Sequence, residues 1–399
     1  MTSWTYSAST ESNLMKVKYG KLIDKQFAQN NVLMGRIKIK DNFVGSQIEE
    51  PVEQSIGGGV GCGSLPTANE SKIGKATITS KKLYAAVSID RESMKASKSS
   101  EGAFVKFTKY PVKMATRSFD RNFERMLVRN SATGDGNLAT VASIADSDPI
   151  FVITYAANTN MAAFEEGDIV NFDSGDTDKF EITAVDETAA TNNITVTRLT
   201  GSQVPAATDE TYMQSSEGKE IFGLNGILAA TSSTLYGVTV GRRWQAYQKD
   251  ASSAALSTDL MNDCVINLKK QCGESPNLIL TSYKQYVKLL NLLEDQKRYN
   301  LPARDKKFKG VISFAGVEYM SADGPIPVFP SRFMDDEKMF FLNDAKIVLH
   351  RRPGGFSWFD EDGTVFLRAA SADSYEARYG GYCQVFVNPH FHAILDNLA

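Results

Sequence analysis

The strongest constraint on the fold of this 399-residue chain lies between residues 48 and 92. One side contains Gln47-Ile48-Glu49-Glu50-Pro51-Val52. The return side alternates over Lys75-Ala76-Thr77-Ile78-Thr79 and again over Lys82-Leu83-Tyr84-Ala85-Ala86-Val87-Ser88-Ile89. Between them stands a glycine-rich run, Gly57-Gly58-Gly59-Val60-Gly61-Cys62-Gly63. Period-two polarity around such a tip predicts a long β-hairpin, polar on one face. An isolated two-stranded ribbon is marginal in water, so this one needs a partner surface, which a neighbouring copy of the same chain could supply.

The flanking segments extend the pattern. Residues 1–47 are sparse in hydrophobics and punctuated by Gly20 and Gly35, with a short amphipathic helix expected over Tyr19–Phe27 and a strand over Gly35–Ile39. Such a segment buries little of itself and docks elsewhere. After the hairpin, Phe104, Phe107, Met114, Phe119, Phe123, Met126 and Leu127 recur at helical spacing, predicting a long helix over 101–131. Pro111 inside it predicts a kink or a fresh start. Its other face carries Lys106, Lys109, Lys113, Arg117, Arg121, Arg125 and Arg129. That stripe fits a solvated face with local pairs to Asp120 and Glu124, salt bridges to neighbouring subunits, or a surface facing nucleic-acid phosphates. Interleaved exposed aromatics, which single-strand stacking would need, are lacking.

Charge divides the chain. Residues 1–131 hold 21 Lys+Arg against 12 Asp+Glu, residues 132–222 hold 3 against 16, and residues 223–399 hold 20 against 19. The overall −3 carries no bulk nucleic-acid signature, but the shifts mark a unit with different surroundings. Within it, residues 140–217 are threonine-rich and hold four short alternating runs, at 149–155, 168–172, 179–185 and 193–199, parted by turns such as Asp173-Ser174-Gly175-Asp176. Short strands at this spacing predict a small β-barrel or sandwich. Residues 223–399 read as mixed, with helices over 241–249, 258–272 and 282–295, and strands over 278–280, 311–314, 317–320, 326–329, 339–342, 346–350 and 384–387.

Motifs for chemistry are poorly supplied. The glycine run lacks the GK[ST] ending of a phosphate loop, since Gly63 leads into Ser64-Leu65-Pro66. Of three histidines, His390 and His392 would share one strand face, but a third metal ligand is not evident and no GxSxG turn accompanies them. The carboxylates at Glu165-Glu166 and Asp173–Asp178 lack the terminal glutamate of a calcium loop and fit a solvated acidic surface. Cys62, Cys264, Cys272 and Cys383 form no CxxC pair and read as ordinary reduced thiols. No catalytic, metal or cofactor site is assigned. No apolar run is long enough for a membrane helix, and the polar start Met1-Thr2-Ser3-Trp4 does not resemble a signal peptide. The expectation is a protein made in the cytosol.

The order arm, hairpin, long helix, mixed domain resembles the Hong Kong 97-like fold of tailed-bacteriophage major capsid proteins. Residues 74–91 feeding the helix at 101–131 resemble an extended E-loop running into a spine helix. Pro276-Asn277-Leu278-Ile279-Leu280-Thr281-Ser282-Tyr283, Gly316-Val317-Glu318-Tyr319 with Gly324-Pro325-Ile326-Pro327-Val328, the stretch 339–350, and 373–395 with Phe386-Val387-Asn388-Pro389-His390-Phe391 resemble later segments of that fold. The resemblance implies an α+β protein with an N-terminal arm (1–47), an E-loop (48–92), a P-domain with the spine helix (93–139) and its return strands (341–380), and an A-domain (218–340) with its closing strand (381–399). The acidic stretch 140–217 departs from simpler members. It stands between Thr133-Gly134-Asp135-Gly136 and Phe222-Gly223-Leu224-Asn225-Gly226-Ile227-Leu228, as an inserted β-rich barrel or sandwich domain.

What the resemblance implies for function is a structural protein, not an enzyme. It would self-assemble from hexamers and pentamers into the icosahedral head around the double-stranded DNA of a tailed phage, built in the host cytoplasm and ending in the virion. Gly57, Gly58, Gly59, Val60 and Gly61 would form the tip of the E-loop, in contact with a neighbouring copy. The basic stripe from Lys106 to Arg129 would face packaged DNA without sequence preference. The hairpin begins too early to follow a long cleaved scaffolding segment, so the resemblance implies a separate scaffolding protein or none, with separate portal and decoration proteins as further expected partners. Lys72, Lys75, Lys81 and Lys82 are available for crosslinking, but no matching catalytic glutamate accompanies them. An encapsulin-type shell around protein cargo is the alternative, and an enzyme with an uncommon site is a further one.

Overall fold

The computed structural model describes residues 33–55, 72–91, 101–156, 159–173, 177–187, 192–231, 234–295, 317–321, 323–360, 363–369 and 373–399, with backbone alone for 101–111, 146 and 293–295. The expected arm helix at 19–27, the glycine tip at 57–63 and the strand at 311–314 lie outside these residues. Within them, Glu101–Arg129 forms one helix of 29 residues, α1. It runs on through Pro111, so no fresh start occurs there. A helix whose apolar face is held by packing tolerates the loss of one backbone donor. That face is Val112, Ala115, Phe119, Phe123, Met126 and Leu127, all buried, whereas Met114 is exposed. Phe119 meets Phe356 and Tyr379 edge-on, each at 5.1 Å between ring centroids.

These rings belong to the sheet on which α1 lies. Its long strand, Ser374–Val387, pairs antiparallel with Lys81–Asp90 along one half and with Ile347–Arg351 along the other. Lys38–Lys40 extends the sheet by pairing in parallel with Ile347–Arg351. The hairpin strands Gln47–Glu53 and Ile73–Thr79 pair in continuous register from Gln47–Thr79 to Glu53–Ile73. Their apolar face does not wait for another molecule. Val52, Ala76 and Ile78 join the core of their own chain, and the Thr77 amide donates to the Tyr236 carbonyl at 2.8 Å.

A second sheet runs in the order Tyr247–Asp250, Ala393–Asp396, Met339–Leu342, Leu278–Thr281, Gly324–Pro330, Val317–Ser321. Leu278–Thr281 and Met339–Leu342 are buried at every position, which explains why they read as unbroken apolar runs. Helices Thr258–Cys272 and Tyr283–Asp295 pack beside this sheet around a separate core. The former is capped by Ser257, whose side chain accepts the Leu260 amide, and ends on left-handed Gly273. The helix expected over 241–249 is absent. That stretch turns and enters the strand Tyr247–Asp250, parallel to Ala393–Asp396. Trp244 and Ala246 are the buried positions there, in the turn that leads into the strand.

The acidic stretch is a closed six-stranded barrel, ordered Glu210–Met213, Asn137–Ser147, Ile150–Tyr155, Asn192–Thr200, Lys179–Glu187, Ile169–Phe172. Of the two predicted forms, barrel and sandwich, closure is observed. Phe151, Phe172 and Phe180 fill its interior, with centroids 5.1 and 5.9 Å apart in edge-on pairs. This third core shares no member with the other two.

Candidate functional site

The most heavily built polar region lies where the barrel joins the end of α1. The entering and leaving chains run side by side. The Gly218 amide donates to the Asp135 carbonyl at 2.7 Å, the Gly223 amide to Ser131 at 3.0 Å, and the Asn130 side-chain amide to the Ile221 carbonyl at 2.7 Å. Gly226, on the short helix Leu224–Ala229, packs against this neck so closely that a Cβ there would stand 2.0 Å from the Ala132 nitrogen.

Beneath the neck, Arg125 and Glu220 form a buried ion pair, with side chains 4% and 3% exposed. Arg125 offers both terminal nitrogens to the Glu220 carboxylate, one of them at 3.3 Å. Asn130 donates to the same carboxylate at 3.1 Å and Ser216 at 2.6 Å. A buried charge survives only when paired and hydrogen-bonded, and the Glu220 carboxylate and the two terminal nitrogens of Arg125 meet that condition. Sequence reasoning passed over Glu220. Its one signal is position, two residues before the Phe222-Gly223-Leu224 run that leaves the insertion.

Arg125 is therefore not a surface residue, and its neighbours on the stripe diverge likewise. Arg121 holds Asp168 at 2.9 Å, Glu165 at 3.0 Å and the Ala163 carbonyl at 2.9 Å. Arg129 donates to the Asn160 and Leu138 carbonyls at 2.8 and 2.6 Å. Burial lowers the Arg129 pKa, with Asp335 opposing. All three anchor the barrel to α1, so they are withdrawn from the expected DNA-facing stripe. Lys113 and Arg117 are exposed, while the side chains of Lys106 and Lys109 lie outside the described residues. Helical geometry causes the split. Spacing of four advances each residue about 40° round the axis, so Lys113 and Arg125 differ by about 120°.

A cleft of about 570 Å³ opens between α1, the barrel and the loop Arg332-Phe333, lined among others by Arg117, Asp120, Glu124, Glu165 and Asp168. Glu165 is exposed, as expected of a solvated acidic surface, and also bridges Arg121 and Arg332. Burial pushes Asp120 up to about 7, helped by the charge of Glu124, and burial pushes Glu124 to about 7 against the pull of Arg332 and Ser331.

The histidines do not form a pair. His392 is fully buried, accepts the Asn343 amide at Nδ1 (3.1 Å), and burial pushes its pKa down to about 3. His390 sits on a preceding 3-10 turn with Nδ1 3.3 Å from the Gln271 side-chain nitrogen. They share no strand face, because Pro389 turns the chain between the two sheets. His350, buried, contacts Asn42 at 2.9 Å and so ties the segment before the hairpin to the first sheet. Arg36 to Asp344 at 3.2 Å and Arg351 to Asp41 fasten the same segment. Burial raises the Cys264 thiol to about 12. Among the described residues, no group of three His, Cys, Asp or Glu could hold a metal, and no helix is long and apolar enough to cross a membrane.

A long helix laid on one sheet, a two-stranded hairpin, a second sheet and a closed barrel make a mixed α+β architecture, and likeness to solved capsids gives it the Hong Kong 97-like fold. The cyanophage A-1(L) capsid asymmetric unit matches with a TM-score of 0.55 at 12% identity, over 91% of this chain and 90% of that one. The family model for the SU10 major capsid protein matches residues 88–399, and the chain belongs to that family. Weaker likenesses include the capsid of an empty GTA particle (TM-score 0.48, 10% identity, 94% and 90% covered) and the holo-SrpI encapsulin complex of Synechococcus elongatus PCC 7942 (0.46, 8%, 92% and 87%). No curated protein matches the sequence. The protein is thus a tailed-phage major capsid protein, a structural component of the virion shell and not an enzyme. The family match decides against the encapsulin alternative.

Proposed function

We propose that the chain builds hexamers and pentamers of the phage head with its parts in the following roles. Residues 1–47 act as the arm and 48–92 as the E-loop, whose tip at Gly57–Gly61, outside the described residues, lies over a neighbouring copy. Residues 93–139 and 341–380 make the P-domain, and 218–340 with 381–399 the A-domain. The barrel at 140–217 stands on the outer surface. Many weak contacts act together in a closed shell, so each need not be strong. Separate scaffolding, portal and decoration proteins complete the particle.

Lys113 and Arg117, and Lys106 and Lys109 before them, face the packaged duplex and hold its phosphates without reading sequence. The observation that supports this is selective. Arg121, Arg125 and Arg129 are committed to protein partners, whereas Lys113 and Arg117 are exposed and enter no ion pair among the described residues. The test reverses only these two. K113E/R117E heads are expected to form empty shells at the parent's yield but to retain less DNA, with the deficit largest at low salt and shrinking as salt rises. Equal loss of shells and of DNA would refute the assignment.

A further inference from the structure

We propose that the recess between Arg242, Arg243 and His390 is a binding site for a phosphate group. It lies where the 3-10 turn Pro389–Phe391 meets the helix Thr258–Cys272. The recess holds about 410 Å³ and is lined by Arg242, Arg243, Gln271, Cys272 and His390, with no carboxylate in its wall. No residue of α1 lines it, so the site does not depend on Lys113 and Arg117 facing DNA.

The chain itself leaves both arginines uncommitted. Arg36, Arg198, Arg332 and Arg351 each hold a carboxylate. Arg242 and Arg243 are exposed, and neither side chain enters an ion pair or hydrogen bond among the described residues. Their charges nevertheless reach the imidazole. Burial lowers the His390 pKa, a hydrogen bond to the Arg242 backbone opposes, and the charges of Arg243 and Arg242 lower it further. The other polar groups bring no negative charge. Burial raises the Cys272 thiol, which keeps it neutral, and it donates to the Leu268 carbonyl at 3.2 Å. Glu274, two residues beyond, is taken by Asn343 at 2.8 Å and Lys346 at 3.1 Å.

Two adjacent guanidinium groups without an acid repel each other, and an anion between them turns that repulsion into attraction. Guanidinium forks also match phosphate oxygens in pairs, a geometry that a halide cannot exploit. The end of the helix Thr258–Cys272 opposes an anion, but only with about half a charge. There the Lys269 carbonyl is already held by the Gly273 amide at 2.8 Å. Two whole positive charges outweigh the remainder. The imidazole is held in place, since the Gln271 side-chain amide donates to the Gln245 carbonyl at 2.7 Å and stands 3.3 Å from His390 Nδ1. The same chemistry has two sources, a free phosphate ion or the backbone of DNA.

The chain has only three histidines, and His350 and His392 are fully buried. Histidine-labelled NMR of the unassembled full-length chain therefore reads His390 against two internal controls. At constant pH, inorganic phosphate is expected to move the His390 resonance saturably and to leave His350 and His392 in place. Chloride at equal ionic strength should move it far less. R242Q/R243Q should weaken the phosphate response at least about tenfold, since it removes charge-assisted contacts. Both side chains are exposed, so the variant is expected to melt with the parent. If it does not fold, the parent's comparison of phosphate with chloride decides alone. A short DNA duplex that also moves His390 makes packaged DNA the source, and a duplex that leaves it unmoved makes the source a free phosphate ion. Equal responses to chloride and phosphate would reduce the effect to screening and overturn the site. So would a His390 resonance that phosphate does not move, or a full response retained by R242Q/R243Q.

Discussion

Removing the Arg125 guanidinium should loosen the barrel mount more than any surface charge on the same helix. In the parent the Glu220 side chain is 3% exposed, and Arg125→Ala leaves its carboxylate with Asn130 and Ser216 as its donors among the described residues. Stripping one partner from a buried pair costs about 3–5 kcal/mol. The two surviving hydrogen bonds place the expected loss near the lower end, about 3 kcal/mol. That is a large share of the roughly 5–15 kcal/mol that holds a typical domain folded. Urea denaturation of the unassembled chain measures it. Trp244 and Trp358 are buried in the main core, so their fluorescence follows the body, while circular dichroism follows body and barrel together. R125A should shift the midpoint seen by both probes, because the neck ties barrel to helix. R125M/E220M, which removes both charges, should recover most of the loss, since an apolar pair of similar volume is often no worse than a buried ion pair. A loss below about 1 kcal/mol in R125A, or a double variant as weak as the single, would refute the reasoning.

Two further outcomes follow from the same geometry. Asp120 and Glu124 titrate higher in the folded chain than their ordinary values, so their contribution to stability is complete below about pH 4 and lost as pH rises through about 7. Unassembled parent should therefore lose melting temperature between pH 5 and pH 8 relative to D120N/E124Q, and parallel profiles would contradict this. Gly226→Ala pushes a methyl into the backbone of Ser131 and Ala132, which cannot give way. It should cost about 3 kcal/mol in the same urea assay, whereas Gly241→Ala, with open space around it, should stay within about 0.5 kcal/mol.

Much of the architecture was legible because local pattern and tertiary role coincide. The hairpin strands, α1 and the barrel each bury one face against something constant, so alternation or helical spacing survives in the residue order. The acid-rich composition of 132–222 likewise marked a unit that proved to own a separate core. The segment at 241–249 was misread because its polar and apolar residues suit either period. Only the parallel strand Ala393–Asp396, nearly 150 residues later in the chain, settles it.

The basic stripe shows the limit most clearly. Seven cations at near-constant spacing establish that α1 carries a charged band winding round its axis. Spacing does not say what the band meets as it winds. From Arg121 onward it meets Glu165 and Asp168 beside the barrel and Glu220 at the neck, acids whose positions depend on chain closure at that neck. The sequence by itself determined the parts, their order and the charge each carries, since these follow from periodicity and composition. Which arginines are anchors, which cations remain free, and that Asp120 is buried beside an open cleft were decided only in the tertiary structure. Pairing and burial depend on residues distant in the chain, and a local pattern holds no information about them.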